Sequence, residues 1–219
     1  GLNEYKPTRT WGMVADVNSP ENALLIRKMT EATLTCLKND EMLPLPTQKY
    51  KKIAVLSLRT TPDDTFAARF KKYLAADYYT FNYKNGVGKA DDLLDSLKKY
   101  DLVIAEMGNF NARTPGRAQK SDDPKANLVL EWGVTTQLQH ILDRLNKEHK
   151  TIMAVFGMPY VMNRLPQLKD AGAVLFSQGD NELARDLMAQ AVAGAFDVNG
   201  KLPVNTEVFP INTSVKVKG

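Results

Sequence analysis

The stretch Thr151-Ile152-Met153-Ala154-Val155-Phe156-Gly157-Met158-Pro159-Tyr160 decides the architecture. Its first six residues are uncharged and do not alternate in polarity, the pattern of a strand covered on both faces. Gly157 and Pro159 then impose a sharp turn into a following helix. The same unit repeats outward in both directions. Residues 52–58, 78–83, 101–107 and 173–177 read as further strands, and residues 64–75, 90–99, 127–147, 161–169 and 182–196 as the helices between and after them. Five consecutive βα units predict an α/β fold: a doubly wound three-layer α/β/α sandwich on a mostly parallel sheet of five or six strands.

Upstream of these units, Ser19-Pro20-Glu21 combines an N-cap, a proline at the first helical position and an early acid. The apolar stripe Leu25/Ile26, Met29, Ala32/Thr33 and Cys36/Leu37 predicts one helix running to Asn39. Leu43-Pro44-Leu45-Pro46 must be extended, because each proline keeps its predecessor out of the helical region. At the far end, Gly200 gives a turn before an extended edge segment, Leu202-Pro203-Val204. Val215 and Val217, alternating with lysines, suggest a last strand.

Composition limits the chemistry. With 219 residues, 43% hydrophobic, 29 Lys+Arg against 25 Asp+Glu and a net charge of +4, the chain can build a core and is not a disordered or disulfide-stapled sequence. The basic residues are scattered, with mild clusters at Lys49/Lys51/Lys52, Arg113/Arg117/Lys120 and Lys216/Lys218, so they read as a solvated surface and predict neither nucleic-acid nor membrane binding. No apolar run approaches the roughly 20 residues of a membrane span. A lone Cys36 on an apolar stripe reads as a packed thiol. His140 and His149 have no second ligand at metal spacing, so neither a metal nor a cofactor is expected. Gly86-Val87-Gly88 lacks the third glycine of a dinucleotide loop and reads as a plain turn.

In a doubly wound sheet, ligands and interfaces gather beyond the carboxyl ends of the strands, at the point where strand order reverses. The tip after the third strand, residues 108–127, is about twenty residues long and rich in Gly, Pro, Asn and charge, where connections usually take two to six. Three acidic positions lie at strand tips. Asp63/Asp64 and Asp180 hold N-cap positions of the helices that follow them, whereas Glu106 has no such explanation and is the weak candidate for a catalytic acid.

Three stretches together bear a resemblance to glycoside hydrolase family 3. Residues 36–45, Cys-Leu-Lys-Asn-Asp-Glu-Met-Leu-Pro-Leu, resemble the segment by which those enzymes enter their second domain. Phe156-Gly157-Met158-Pro159-Tyr160 resembles a strand end of that domain, and Ala189-Gln190-Ala191-Val192-Ala193-Gly194 with Gly200-Lys201-Leu202-Pro203-Val204 is similar to its closing signature. The resemblance implies that residues 20–210 are the family's C-terminal α/β domain, that 1–19 are a linker from a preceding (β/α)8 barrel, and that 211–219 are a terminal strand or tail.

A barrel needs about 250 residues, so the family's barrel nucleophile is not among these 219. The β-glucosidase branch draws an acid/base glutamate from a loop after the third strand, yet residues 108–120 contain no Asp or Glu. That resembles the β-N-acetylhexosaminidase branch, whose acid/base pair sits on the barrel. The implied role is non-catalytic, supporting the barrel or its outer subsites, with Asn109, Arg113, Arg117 and Tyr160 as substrate or interdomain contacts. The partners implied are the barrel, a carbohydrate, and, if the isolated domain exposes Phe110, Met158 or Tyr160, a second copy of itself. The resemblance favours a periplasmic or secreted bacterial location. Two readings stand beside it: a stand-alone binding module on the same fold, and a β-glucosidase-type domain working through Glu106.

Overall fold

The computed structural model describes residues 3–4, 10–61, 63–84, 88–110 and 127–219, with backbone only at 88 and 89. Five strands run parallel: β2 (Ile53–Leu58), β3 (Asp77–Phe81), β4 (Leu102–Met107), β5 (Lys150–Phe156) and β6 (Ala173–Ser177). A sixth, β1 (Thr35–Asn39), pairs antiparallel with β6 at the edge, giving the order β1-β6-β5-β4-β2-β3. Helices α3 (Thr65–Phe70) and α6 (Glu182–Ala193) cover one face, and α4 (Gly88–Leu97) and α5 (Thr136–Glu148) the other. This is the doubly wound three-layer sandwich that the sequence predicts.

The strands form where the apolar runs are continuous. Every residue of β2, β4 and β6 is buried, because helices sit on both sides of the sheet. One core joins Leu94 and Leu97 of α4 and Leu138, Ile141 and Leu145 of α5 to Leu56, Val103 and Val155. The other joins the stacked Phe66 and Phe70 of α3 and Leu187 and Met188 of α6 to Val55, Ile104 and Ala154. Caps fix the helix ends: Thr135 accepts from the Leu138 amide, Asn181 accepts from the Ala184 amide, and Gly194 closes α6 with φ 81°.

Four expectations change. The first helix, α2 (Pro20–Thr33), ends earlier than its stripe implies, and Cys36 lies on β1 instead. Pairing of Thr35 with Phe176 and Cys36 with Leu175, together with the Val215 amide donating to the Cys36 carbonyl, outweighs the helical periodicity of the segment. Asn39 then breaks the strand by accepting the Met42 and Leu43 amides. Residues 127–135 are not α-helical: Val129 bridges to Thr135 around a short 3-10 turn, Glu131–Gly133, with Trp132 and Gly133 at positive φ. The expected helix at 161–169 is two 3-10 turns, Pro159–Arg164 and Pro166–Asp170, split at Leu165 because Pro166 bars its predecessor from helical geometry. Val217 makes a single bridge with Val198.

Among the described residues, two helices precede β1, α1 (Met13–Val17) and α2, and neither buries a residue. Packed beside α6, α2 turns its polar side inward, where Arg27 Nη2 donates to Gln190 Oε1 at 2.9 Å. Leu24, Leu25, Ile26 and Met29 are 52–60% exposed on the outside. Trp11, Val14 and Val17 of the preceding segment are exposed as well.

Burial pushes the Cys36 thiol up to about 12. The native chain is therefore expected to react with Ellman's reagent at pH 8 only on the time scale of unfolding, and at once in 6 M guanidinium. Rapid native labelling would show β1 to be unpaired.

Candidate functional site at the carboxyl ends of the strands

The order of strands reverses between β2 and β4, so the crevice lies beyond Leu58 and Met107. The residues there form a buried charge network. Glu106 is the only charged residue of β4 and is 2% exposed. Ser57, facing it across the ladder from β2, donates its hydroxyl to Glu106 Oε1 at 2.5 Å, and Arg59 donates Nε to Oε2 at 2.9 Å. Burial pushes the Glu106 carboxyl above the usual carboxylate range, while the Arg59 charge and the Ser57 hydroxyl pull it back.

Arg59 has no exposed side-chain surface, and its guanidinium lies 5.2 Å from the centroid of the Phe156 ring on β5. Its Nη1 reaches Asp180 Oδ1 at 3.0 Å, beyond the end of β6. Asp180 is shared further: Arg185 of α6 donates Nη2 to the same oxygen at 2.8 Å, and the Asn109 amide donates to Oδ2 at 2.8 Å. Arg185 also pairs with Asp63, which accepts the Thr65 amide at the start of α3. Burial and the like charge of Arg59 depress the Arg185 guanidinium to about 10, so it stays charged at neutral pH.

Gly108 makes this packing possible. A methyl group there would lie 2.7 Å from both Arg59 Nη1 and Asp180 Oδ2, so any side chain at 108 would push against this ion pair. Tyr83 donates its hydroxyl to the Gly108 carbonyl at 3.2 Å, and its ring lies 6.1 Å from that of Phe110. The root of the long connection after β4 is thus fixed by Asp180, Tyr83 and Arg59 together.

The network revises the reading of the acids. Asp180 is not the N-cap of α6; Asn181 holds that position, and Asp180 serves the two arginines. Asp64 makes no side-chain cap bond to α3. Glu106 is explained as the buried partner of Ser57 and Arg59. Neither Arg59, which opens the tip after β2, nor Arg185 stands in a recognisable motif, although an acid inside an otherwise apolar strand and an arginine directly after a buried one, Glu106 and Arg59, call for each other.

Of the contact candidates, Asn109 sits in the crevice at φ 61° with its amide pinned and its side-chain oxygen unpartnered among the described residues. Tyr160 lies at the rim, 40% exposed and stacked on Trp132 at 6.2 Å. Phe110 and Met158, both half-buried, line a cavity of about 470 Å³ with Gly157, Pro159, Gln178 and Asp180. Arg113 and Arg117 lie outside the described residues, as do residues 85–87 of the glycine turn. Among the described residues, no three metal-binding side chains gather, and no helix is long and apolar enough to cross a membrane.

A doubly wound sandwich with a charged crevice core defines the structural class, and solved structures narrow it. No family model and no curated protein matches the sequence. The fold is shared with a fungal multi-domain glycoside hydrolase family 3 β-N-acetylglucosaminidase: TM-score 0.65, 17% identity, over 94% of this chain and 21% of that one. A family 3 β-N-acetylglucosaminidase from a Paenibacillus species gives TM-score 0.63 at 13% identity, over 97% of this chain and 36% of that one. A β-glucosidase from Listeria innocua in complex with glucose gives 0.62 at 14%, over 88% and 28%. The chain has the fold of one part of family 3 glycosidases, as its motifs imply, and spans between a fifth and a little over a third of the length of these structures.

Removing one member of a buried ion pair strands the other. Glu106→Ala is expected to cost about 3–5 kcal/mol in urea unfolding, while the double change Arg59→Met/Glu106→Leu should recover most of that loss. A single change costing less than about 1 kcal/mol would mean that the pair is solvated.

Proposed function

We propose that the chain is the C-terminal α/β domain of a family 3 glycoside hydrolase of β-N-acetylhexosaminidase type, and that it supports and covers a catalytic (β/α)8 barrel without supplying a catalytic acid. Residues 20–210 form the domain, 1–19 the linker, and 211–219 a tail returning along the edge strand. The observation that carries this reading is the state of Glu106. A general acid must reach the glycosidic oxygen, and Glu106 is enclosed, with both oxygens held by Ser57 and Arg59. Asp180 and Asp63, the other crevice carboxylates among the described residues, are held by arginines.

The inverted α2 supports the covering role. Its apolar side chains and those of α1 face away from the domain. Their exposed area is on the order of the 800 Å² that one partner gives a standard interface. The barrel is the partner that the fold comparison and the linker position both suggest. Asn109, Arg113, Arg117 and Tyr160 then meet the barrel or the outer end of its substrate. A periplasmic or secreted bacterial setting accompanies this reading.

The test is turnover of nitrophenyl N-acetyl-β-glucosaminide, β-glucoside and β-xyloside by the purified chain. The expected rate is indistinguishable from that of its Glu106→Gln variant and of buffer. Turnover abolished by Glu106→Gln, with the fold retained, would make Glu106 the acid and overturn the supporting role.

A further inference from the structure

We propose that the outer edge of β3 is a self-association site, at which two copies of the chain join their sheets by pairing β3 with β3 antiparallel. The surface stands on the fold alone and does not depend on the glycosidase reading.

The chain treats the two edges of its sheet differently. Beside β1 it covers its own backbone: the Val215 amide donates to the Cys36 carbonyl at 2.8 Å, and the Gly200 amide to the Leu34 carbonyl at 3.1 Å. The approach at Gly200 is so close that a methyl group there would run into the Leu34 oxygen. At the other edge β3 pairs with β2 alone. Among the described residues, no hydrogen bond reaches the backbone of Asp77–Phe81 from its outer side. Alternate residues of a strand turn their N–H and C=O groups to opposite sides, so those that face away from β2 are open to a further strand.

The devices that usually blunt an open edge are missing from β3. Asp-Tyr-Tyr-Thr-Phe holds no proline, lysine or glycine, its register on β2 runs without a bulge, and three of its five residues are aromatic. The strand is also held from both faces. Lys71 lies over the Tyr78 ring at 4.6 Å, while the Tyr79 and Tyr100 hydroxyls meet at 2.7 Å. Such a strand is a preorganised template. Thr80 remains exposed beside it.

An open edge selects an extended strand, and its surroundings favour a second copy. A twofold axis normal to the sheet sets the outward donors of each copy against the acceptors of the other. It also keeps like charges apart, because Asp77, the strand's only charge, falls at opposite ends of the pair. A foreign peptide would need pockets beside the edge for its side chains. None of the described cavities is lined by residues 78–81. Area sets the strength: five residues of strand extend about 17 Å and give well under the ~800 Å² per partner of a standard interface, so the dimer is weak and concentration-dependent.

Sedimentation equilibrium of the chain between about 10 μM and about 1 mM tests this, with hydrogen–deuterium exchange read at the same concentrations. The expected result is a reversible monomer–dimer equilibrium in which amides of residues 77–82 exchange more slowly as the dimer fills. A twofold near the middle of β3 brings both copies of residue 80 within two positions of each other. Thr80→Lys therefore sets two lysines against one another and should weaken the dimer by about tenfold or more at an unchanged melting temperature. Met29→Glu on α2 and Tyr160→Glu at the crevice rim should leave it intact. A chain that stays monomeric, a dimer that forms without protecting residues 77–82, a dimer unchanged in folded Thr80→Lys, or one lost in Met29→Glu or Tyr160→Glu would each overturn the proposal. Exchange in the wild-type chain decides the matter should Thr80→Lys fail to fold.

Discussion

Arg59 is the point on which the crevice end of the molecule depends. A guanidinium with no exposed side-chain surface must be compensated where it sits, and it ties together elements far apart in sequence: Glu106 on β4, Asp180 beyond β6 and the Phe156 ring on β5. The consequences spread from that requirement. The pair closes directly over Gly108, where a side chain would press on it, Asp180 is fixed and so pins the Asn109 amide, and Arg185 brings Asp63 and the start of α3 into the same set. In an open α/β sheet this location is where ligands are held. Here the polar groups that would do so are largely spent on one another, and the crevice becomes a rigid platform from which the long connection after β4 departs.

The sheet was largely legible in the sequence because continuous apolar runs bounded by turn residues have few other solutions. All five parallel strands fall where those runs lie. What escaped was set by distant partners. Residues 35–39 continue a helical stripe, yet they find β6 and the C-terminal tail, and a buried β pairing outweighs a local period. Asp180 stands one residue before the N-cap and is claimed by arginines at positions 59 and 185. Leu165 shows the opposite failing: Pro166 was in plain view, and its effect on the residue before it breaks the expected helix.

Charge followed the same rule. The lysines look scattered along the chain because each group precedes a strand or ends a helix, and a parallel sheet places all of those junctions at one end. The apolar side chains of α2 were legible as a stripe, but not the direction in which the stripe faces. Arg27 and Gln190 show that its polar side meets the domain. The molecule thus presents three distinct surfaces: a crevice whose charges are largely paired with one another, a base where several lysines gather, and an outward apolar face on α1 and α2 that suits a neighbouring domain.

The central claim, that this chain is built to be covered by a barrel, is tested most directly by the accessibility of α2. Cys36 is buried, so a Met29→Cys variant carries a single reactive thiol at the centre of the outward apolar face. The account predicts that a maleimide labels this thiol freely in the 219-residue chain and far more slowly once the chain is joined to a family 3 (β/α)8 barrel. Equal labelling rates in the two contexts would contradict it.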